Sequence, residues 1–267
     1  MIHMLGYQHK DKIAQEVRPA YFLKAFNKPV ENMRIFSFGN CNFNCPYCKR
    51  DGQFRDKDGN IINAVPVEMD YLLNKVGEVV QKGQTVRLSG GDPVMYPRTS
   101  LEVLQHAKSL GGRTSIAHNG SSPKFISMLL PYLDYAAIDL KAGSPEEFSL
   151  RTGLSNSNNQ LGGKMLKNSL RVQEILSQAG VMVDVRTCVF STTTLDDLLY
   201  MAGLIYNSGC PENKFWTIRI YKPVTGCSWS PAPVETILQY LDIVKKQYPG
   251  LRMGMRAKWE PGGFMYL

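Results

Sequence analysis

The sequence predicts an α/β protein, a partial (β/α)6, TIM-like barrel around a parallel sheet, on three observations. Short runs of β-forming residues alternate with amphipathic helical patterns, as repeated βα units do. Charged residues recur near the predicted C-terminal ends of those runs, where a barrel carries its site. The chain has 267 residues, 43% hydrophobic and 20% charged, which suits one ordinary globular core of this kind.

The strands read in order as Met33–Phe38, Thr85–Ser89, Thr114–Ala117, Ala136–Leu140, Val181–Cys188 and Trp216–Tyr221. Between them Met69, Leu72, Leu73, Val76 and Val80 repeat at helical spacing, as do Val234, Ile237, Leu238, Leu241 and Val244, so each set lays one face on the sheet. Pro97 suits a first helical turn, and Thr194 with Asp197 resembles a capping pair. Two segments read as loops: Asp51–Asn60, where Asp58-Gly59 suggests a tight turn or hairpin, and the polar Ser155–Gly163. The chain divides into an N-terminal extension without clear period (1–32), the barrel (33–250) and a C-terminal segment (251–267).

No apolar run approaches the ~18 residues of a membrane span, and the first thirty residues lack a signal peptide's apolar stretch, so a cytoplasmic protein with no membrane partner is expected. The formal charge of +8 favours an anionic substrate, an acidic protein partner or nucleic acid, although a basic solvated surface accounts for it equally well. Lys and Arg are scattered, without the interleaved aromatic stripe that binds single strands. Six cysteines are too few for a disulfide scaffold in a chain this long, and three of them crowd into eight positions.

Those three, Cys41, Cys45 and Cys48, follow the first strand in a C-x3-C-x2-C loop. A compact loop wraps three thiolates around three irons of a cubane, whereas structural zinc takes four N or S ligands, commonly in two separated pairs. A metal corner without a protein ligand is free for a substrate or cofactor atom, which makes the loop a candidate reaction centre. Cys188, Cys210 and Cys227 are widely spaced and read as buried inert thiols.

The stretch Cys41-Asn42-Phe43-Asn44-Cys45-Pro46-Tyr47-Cys48 resembles the radical S-adenosylmethionine (SAM) signature, in which an aromatic residue, here Tyr47, precedes the last cysteine. The resemblance implies a [4Fe–4S] cluster on the three cysteines, with its open iron chelating the amino and carboxylate groups of SAM. It also implies an electron donor such as flavodoxin or ferredoxin, and reductive cleavage of SAM to a 5′-deoxyadenosyl radical that abstracts hydrogen from a substrate. Tyr47 would flank the adenine.

Paired glycines after a strand let a backbone approach a ligand closely. Ser89-Gly90-Gly91-Asp92-Pro93 is similar to the superfamily's Gly-Gly-Glu-Pro stretch, which contacts the SAM amino group, with Asp92 in place of Glu. His118-Asn119-Gly120 is similar to the Asp/Glu-Thr-Asn-Gly of glycyl-radical-enzyme activases, with Ala117 and His118 replacing the acid and the threonine. Asn119 matches; His118 either hydrogen-bonds SAM or substrate, or is a satisfied structural histidine.

Asp139 and Lys141 share one strand face, as do Asp184, Arg186 and Cys188, and Arg219 with Tyr221. A packed barrel fills its interior with aliphatic side chains, so these charges imply paired structural ions or a polar cavity, of which the cavity is favoured. Lys141 or Arg186 suits the SAM carboxylate as a cationic donor. Asp139-Leu140-Lys141, Val185-Arg186-Thr187, Arg151-Thr152-Gly153 and Tyr221-Lys222-Pro223 resemble short activase-like proteins of the anaerobic ribonucleotide reductase activating type, over about residues 33–225. That branch implies a glycyl radical enzyme as partner. The alternatives are a radical SAM enzyme acting on a small molecule, such as an anionic one, or on a ribosomal peptide, and a non-catalytic Fe–S binding protein; Cys188 is a candidate hydrogen donor.

Overall fold

A parallel sheet runs through the protein like a curled wall, with helices on its outer face. The computed structural model describes residues 2–4, 17–48, 54–55, 61–62, 65–154, 158–258 and 263–267. In chain order the strands are β1 (Ile2–Met4), β2 (Val17–Pro19), β3 (Asn32–Phe38), β4 (Phe54–Arg55), β5 (Ile61–Ile62), β6 (Val65–Val67), β7 (Thr85–Gly90), β8 (Thr114–His118), β9 (Tyr135–Asp139), β10 (Met182–Val189), β11 (Lys214–Ile220), β12 (Arg252–Arg256) and β13 (Phe264–Tyr266). The helices are α1 (Met69–Gln81), α2 (Pro97–Ser109), α3 (Pro123–Leu129), α4 (Pro145–Thr152), α5 (Asn158–Gln178), α6 (Leu195–Asn207) and α7 (Val234–Gln247).

Strands β3 and β7 to β12 pair in parallel, in sequence order, and antiparallel β13 and β1, β6 extend the two edges. The partial barrel expected from the sequence is present with seven parallel strands rather than six, because β12 joins β11 in register from Phe215↔Arg252 to Arg219↔Arg256. The reading of Ser155–Gly163 as a loop is corrected from residue 158 onward, where α5 begins; the turn at Asp58-Gly59 lies outside the described residues.

The helices form for the reasons their spacing gave. α1 buries Leu72, Val76 and Val79 on one face, each such side chain contributing about 2 kcal/mol on burial. α7 does the same with Ile237, Leu241 and Val244. Pro97 stands in the first turn of α2. At α6 the Thr194 hydroxyl accepts from the Asp197 N–H while the Asp197 carboxylate accepts from the Thr194 N–H, a reciprocal cap.

Side chains alternate between two faces of each strand. The outward set, including Phe36, Leu88, Ile116, Ile138, Val185 and Ile218, packs under the helices as the main core. The inward set divides by height. At the N-terminal strand ends Met33, Ile35, Tyr135 and Phe215 meet Ala20, Phe22 and Leu23 in a second apolar cluster, so the 3-10 turn Tyr21–Phe26 closes the barrel floor. Above it the inward residues are polar: Arg87, Ser89, Asp184, Arg186, Thr217, Arg219 and Arg256 line a cavity. The charges on the central strands therefore serve both readings, a cavity with ion pairs in its wall. Among the described residues no helix is long and apolar enough to cross a membrane.

Candidate active site

The cysteine loop leaves β3 at the C-terminal rim, and three contacts fix its path. Phe43 buries its ring edge-on against Phe148 of α4, at 6.2 Å between centroids. The Asn44 N–H donates to the Thr152 carbonyl (2.9 Å), and Gly153 follows in a left-handed conformation so close that a Cβ there would lie 2.1 Å from the Asn44 oxygen. Next, Gly91 N–H donates to the Phe38 carbonyl and Asp92 N–H to the Asn40 carbonyl, each at 2.7 Å. The Gly90-Gly91 turn is thus pressed against the root of the loop: a Cβ on Gly90 would stand 2.1 Å from the Phe38 nitrogen and one on Gly91 2.2 Å from the Asn40 oxygen. With those two amides engaged, a ligand reaching this turn meets carbonyl oxygens, which is the chemistry an ammonium donor requires.

Within the loop, Cys48 N–H donates to the Cys45 carbonyl (3.0 Å), while Cys41 Sγ accepts from the Phe43 N–H (3.4 Å) and the Asn119 side-chain amide (3.7 Å). Burial pushes the Cys45 thiol up to about 12, with the Lys141 cation opposing and Cys48 and Cys41 adding to the rise. Among the described residues no three His, Cys, Asp or Glu side chains are set to hold a single metal ion. A cubane places its protein ligands on separate irons and needs a wider triangle, and N–H donors to ligand sulfur are what such clusters use, so the donor set fits a three-cysteine cluster.

Asp92 and His118, each expected as a candidate SAM contact with a structural role as the alternative for His118, engage each other beneath the loop. The Asp92 carboxylate is buried and fully engaged: Oδ1 accepts from the Val94 N–H (2.9 Å) and faces His118 Nδ1 (2.7 Å), and Oδ2 accepts from the Asn119 N–H (2.8 Å). The other ring nitrogen of His118, Nε2, accepts from the Ser122 N–H (3.4 Å), which leaves the hydrogen on Nδ1 for Asp92. Both side chains therefore position the rim rather than present a free group to it. What they position is Asn119, whose amide donates to Asn42 Oδ1 (2.7 Å) as well as to Cys41, while Asn42 donates to Ser121 Oγ (2.9 Å).

Across the rim, Lys141 Nζ lies 2.6 Å from Asp139 Oδ2 and 5.7 Å from the Tyr47 ring centroid. Burial would lower the Lys141 amine, but Asp139, then Tyr47 and Cys45, hold it well above its ordinary range. Burial likewise would raise Asp139, yet Lys141 and Arg219 hold its carboxyl below the usual range. Arg186 pairs with Asp184 (2.6 Å), opposite Asp139 in register. Tyr47 packs among Phe190 (5.0 Å), Trp229 (5.5 Å) and Tyr221 (6.4 Å), an aromatic wall beside the cysteines. Burial, then a hydrogen bond with Cys227, raises the Tyr221 phenol.

The structure thus gathers Cys41, Cys45, Cys48, Tyr47, Ser89, Gly90, Gly91, Asn119, Asp139, Lys141, Arg186, Cys188 and Tyr221 at one end or in the upper lumen of the barrel. Cys188 stands on β10 beside Arg219 in register, and its carbonyl accepts from Arg151 (3.4 Å). Arg151, which its sequence match does not mark as a site residue, also donates to the Lys141 carbonyl (3.1 Å) and pairs with Glu147 (2.9 Å), tying the ends of β9 and β10 to α4. Phe43, Phe190 and Trp229 went unassigned, since lone aromatics in loops carry no period.

A parallel half-barrel with a three-cysteine loop at its C-terminal rim, braced by a Gly-Gly turn on the next strand, defines a class of metal-cluster barrel enzyme. The chain belongs to the radical SAM superfamily, whose family model matches residues 35–205; members use a [4Fe–4S] cluster and SAM. It is 28% identical over 165 residues to the 7-carboxy-7-deazaguanine synthase of Methanothermobacter thermautotrophicus, covering 61% of this chain and 64% of that protein. It is 26% identical over 223 residues to a Methanocaldococcus jannaschii protein named as a glycyl-radical enzyme activating enzyme, covering 80% and 84%. Among solved structures, Streptococcus suis SuiB bound to S-adenosylmethionine superposes with a TM-score of 0.61 at 15% identity, over 90% of this chain and 54% of SuiB. This chain therefore spans under two thirds of the synthase and about half of SuiB, and the SuiB likeness concerns the fold.

Proposed function

We propose that this protein holds a [4Fe–4S] cluster on Cys41, Cys45 and Cys48 and uses it to cleave SAM reductively, abstracting hydrogen from a substrate. The observation that carries the reading is the bracing of the cysteine loop by Gly90-Gly91 and by Thr152-Gly153, which holds three thiols at the mouth of a polar lumen. When bound, the cluster and SAM supply an electron and a 5′-deoxyadenosyl radical; the chain supplies placement and shelter from water. The carbonyls of Ser89, Gly90 and Gly91 offer acceptors for the SAM amino group. Lys141 offers its carboxylate a cation already held in place by Asp139, and Arg186 is the other cation on that face. Tyr47 and its aromatic neighbours form a wall for the adenine. Asn119 tunes Cys41 by its N–H···S contact. Cys188, on the strand face of β10 that also carries Asp184 and Arg186, is the proposed donor of a hydrogen atom to a substrate radical.

The electron donor is proposed to be a flavodoxin or ferredoxin. A second reading, hydrogen abstraction from a glycine of a partner glycyl radical enzyme, is supported by the Methanocaldococcus jannaschii relative, 26% identical over an alignment that covers 80% of this chain. Anaerobic reconstitution tests the common chemistry. The wild type is expected to take up about four irons and, with dithionite and SAM, to release 5′-deoxyadenosine; Cys45→Ala is expected to do neither. A wild-type rate from Cys45→Ala sinks the assignment.

A further inference from the structure

Below the rim lies a chamber that SAM cleavage alone does not call for. Its wall carries five guanidinium groups, from Arg18 on β2, Arg87 on β7, Arg186 on β10, Arg219 on β11 and Arg256 on β12, and its described lining contains a single carboxylate, Asp184. Asp184 is already engaged by Arg186 at 2.6 Å and by the Thr217 hydroxyl. Arg87 is the deepest of the five, 4% exposed; its Nη1 meets the Met33 sulfur (2.9 Å), and its Nη2 is buried without a hydrogen-bond partner. A guanidinium buried among other cations, with an orphaned donor, is destabilising unless an anion completes it. Consistent with that, burial and then Arg186 pull Arg87 well below its ordinary range.

The chamber communicates with the cluster loop. Ser89 lines it one residue before Gly90, and Arg219 reaches Asp139 (3.3 Å), which holds Lys141 beneath the Tyr47 ring. The apolar floor of Ala20 and Phe22 shuts the opposite end. We propose that this arginine-lined chamber anchors the substrate by an oxyanion, a carboxylate or phosphate group of a small molecule, with the rest of the molecule directed up toward the rim. The proposal rests on the radical SAM reading of the rim and names the substrate class of that site. A guanidinium fork matches either oxyanion in bidentate fashion. A glycine residue, the target of an activase, carries no side-chain anion of its own to satisfy Arg87.

The test is calorimetric titration of the reconstituted, SAM-saturated protein with inorganic phosphate, pyrophosphate and malonate. Saturating SAM first keeps its own carboxylate from accounting for the result. Saturable binding that weakens as salt rises is expected. Preference for the phosphates assigns a phosphoryl group to the substrate, and preference for malonate a carboxylate. Arg87→Met and Arg256→Met are each expected to weaken the anion at least tenfold while iron content and SAM affinity stay within twofold of wild type. Arg87→Met is also expected to leave the melting temperature of the anion-free protein unchanged or raised; should it fail to fold, Arg256→Met decides. No anion binding to wild type, or wild-type anion affinity in the variants, overturns the chamber while leaving the cluster reading intact. Anion binding by a protein that takes up no iron does the reverse.

Discussion

His118 Nδ1 and Asp92 Oδ1 lie 2.7 Å apart beneath the cysteine loop, sealed from solvent on both sides. The pair joins the end of β7 to the end of β8 and, through Asp92 Oδ2, fixes the Asn119 backbone. Asp92→Ala removes the acceptor of three donors and is expected to cost about 3 kcal/mol in unfolding free energy by chemical denaturation. The SAM affinity of the folded, iron-loaded fraction is expected to move less than threefold. A tenfold loss of SAM affinity at unchanged stability would return the Asp92 side chain to the SAM site.

Gly90 and Gly91 make a sharper case. Gly90 has φ of 111°, outside the range of ordinary L-residues, and both positions leave no room for a Cβ against the backbone of β3 and its following loop. Gly91→Ala is expected to displace the cysteine loop, lowering iron uptake severalfold and stability by about 2 kcal/mol or more. Iron and sulfide analysis against a denaturation curve separates loop displacement from loss of fold. Full iron loading would show that the turn does not brace the loop.

How much of this was legible in sequence depended on the range of the forces involved. The parallel strands and α1 and α7 were readable because period and apolar count are local. β12 escaped because Arg252-Met253-Gly254-Met255-Arg256 turns only its two methionines to the main core, while Arg256 faces the chamber and Arg252 lies over the Phe26 ring, so the run looks like loop in sequence. The turn Tyr21–Phe26 escaped because it is a plug, with Phe22 and Leu23 buried side by side and no stripe. The cysteines and glycines were legible through spacing. The engagement of Asp92 is not legible locally, because besides the Val94 N–H its partners His118 and Asn119 stand 26 and 27 residues away.

Lys141 and Asp139 form an ion pair beside Cys45, and the lysine side chain is 13% exposed. Lys141→Met is expected to raise the SAM dissociation constant at least tenfold in anaerobic equilibrium dialysis, with Lys141→Arg recovering part of the loss. Asp139, left with Arg219 at 3.3 Å, keeps a cation, so the stability cost is expected to stay near 2 kcal/mol. Unchanged SAM affinity in iron-loaded Lys141→Met would transfer the carboxylate to Arg186.

Lys214 gives a prediction with a sign. It is fully buried on β11, and its amine donates to the Ile205 carbonyl and to the Ser208 carbonyl (2.9 Å) and hydroxyl (3.2 Å), closing the C-terminal end of α6. Burial pulls it from 10.5 down to about 8, with Cys210, Glu212 and Glu174 opposing. A lysine depressed in the folded state releases its proton there first, so between pH 8 and about 10 the unfolded chain binds more protons and stability from this group rises with pH. Below pH 8 both states are protonated and its contribution is flat at its minimum. The ceiling is about 1.4 kcal/mol per pH unit, and the three acceptors, which favour the charged amine, keep the slope beneath it. Cys41 and Cys45, raised by burial, act in the opposite direction over the same window, as their protons leave the unfolded chain first. The informative quantity is therefore the difference between wild type and Lys214→Met in urea midpoint at pH 7.5 and 9.5. Wild type is expected to gain on the variant by about 1 to 2 kcal/mol across that interval; parallel pH profiles would mean that Lys214 titrates as it does in the unfolded chain.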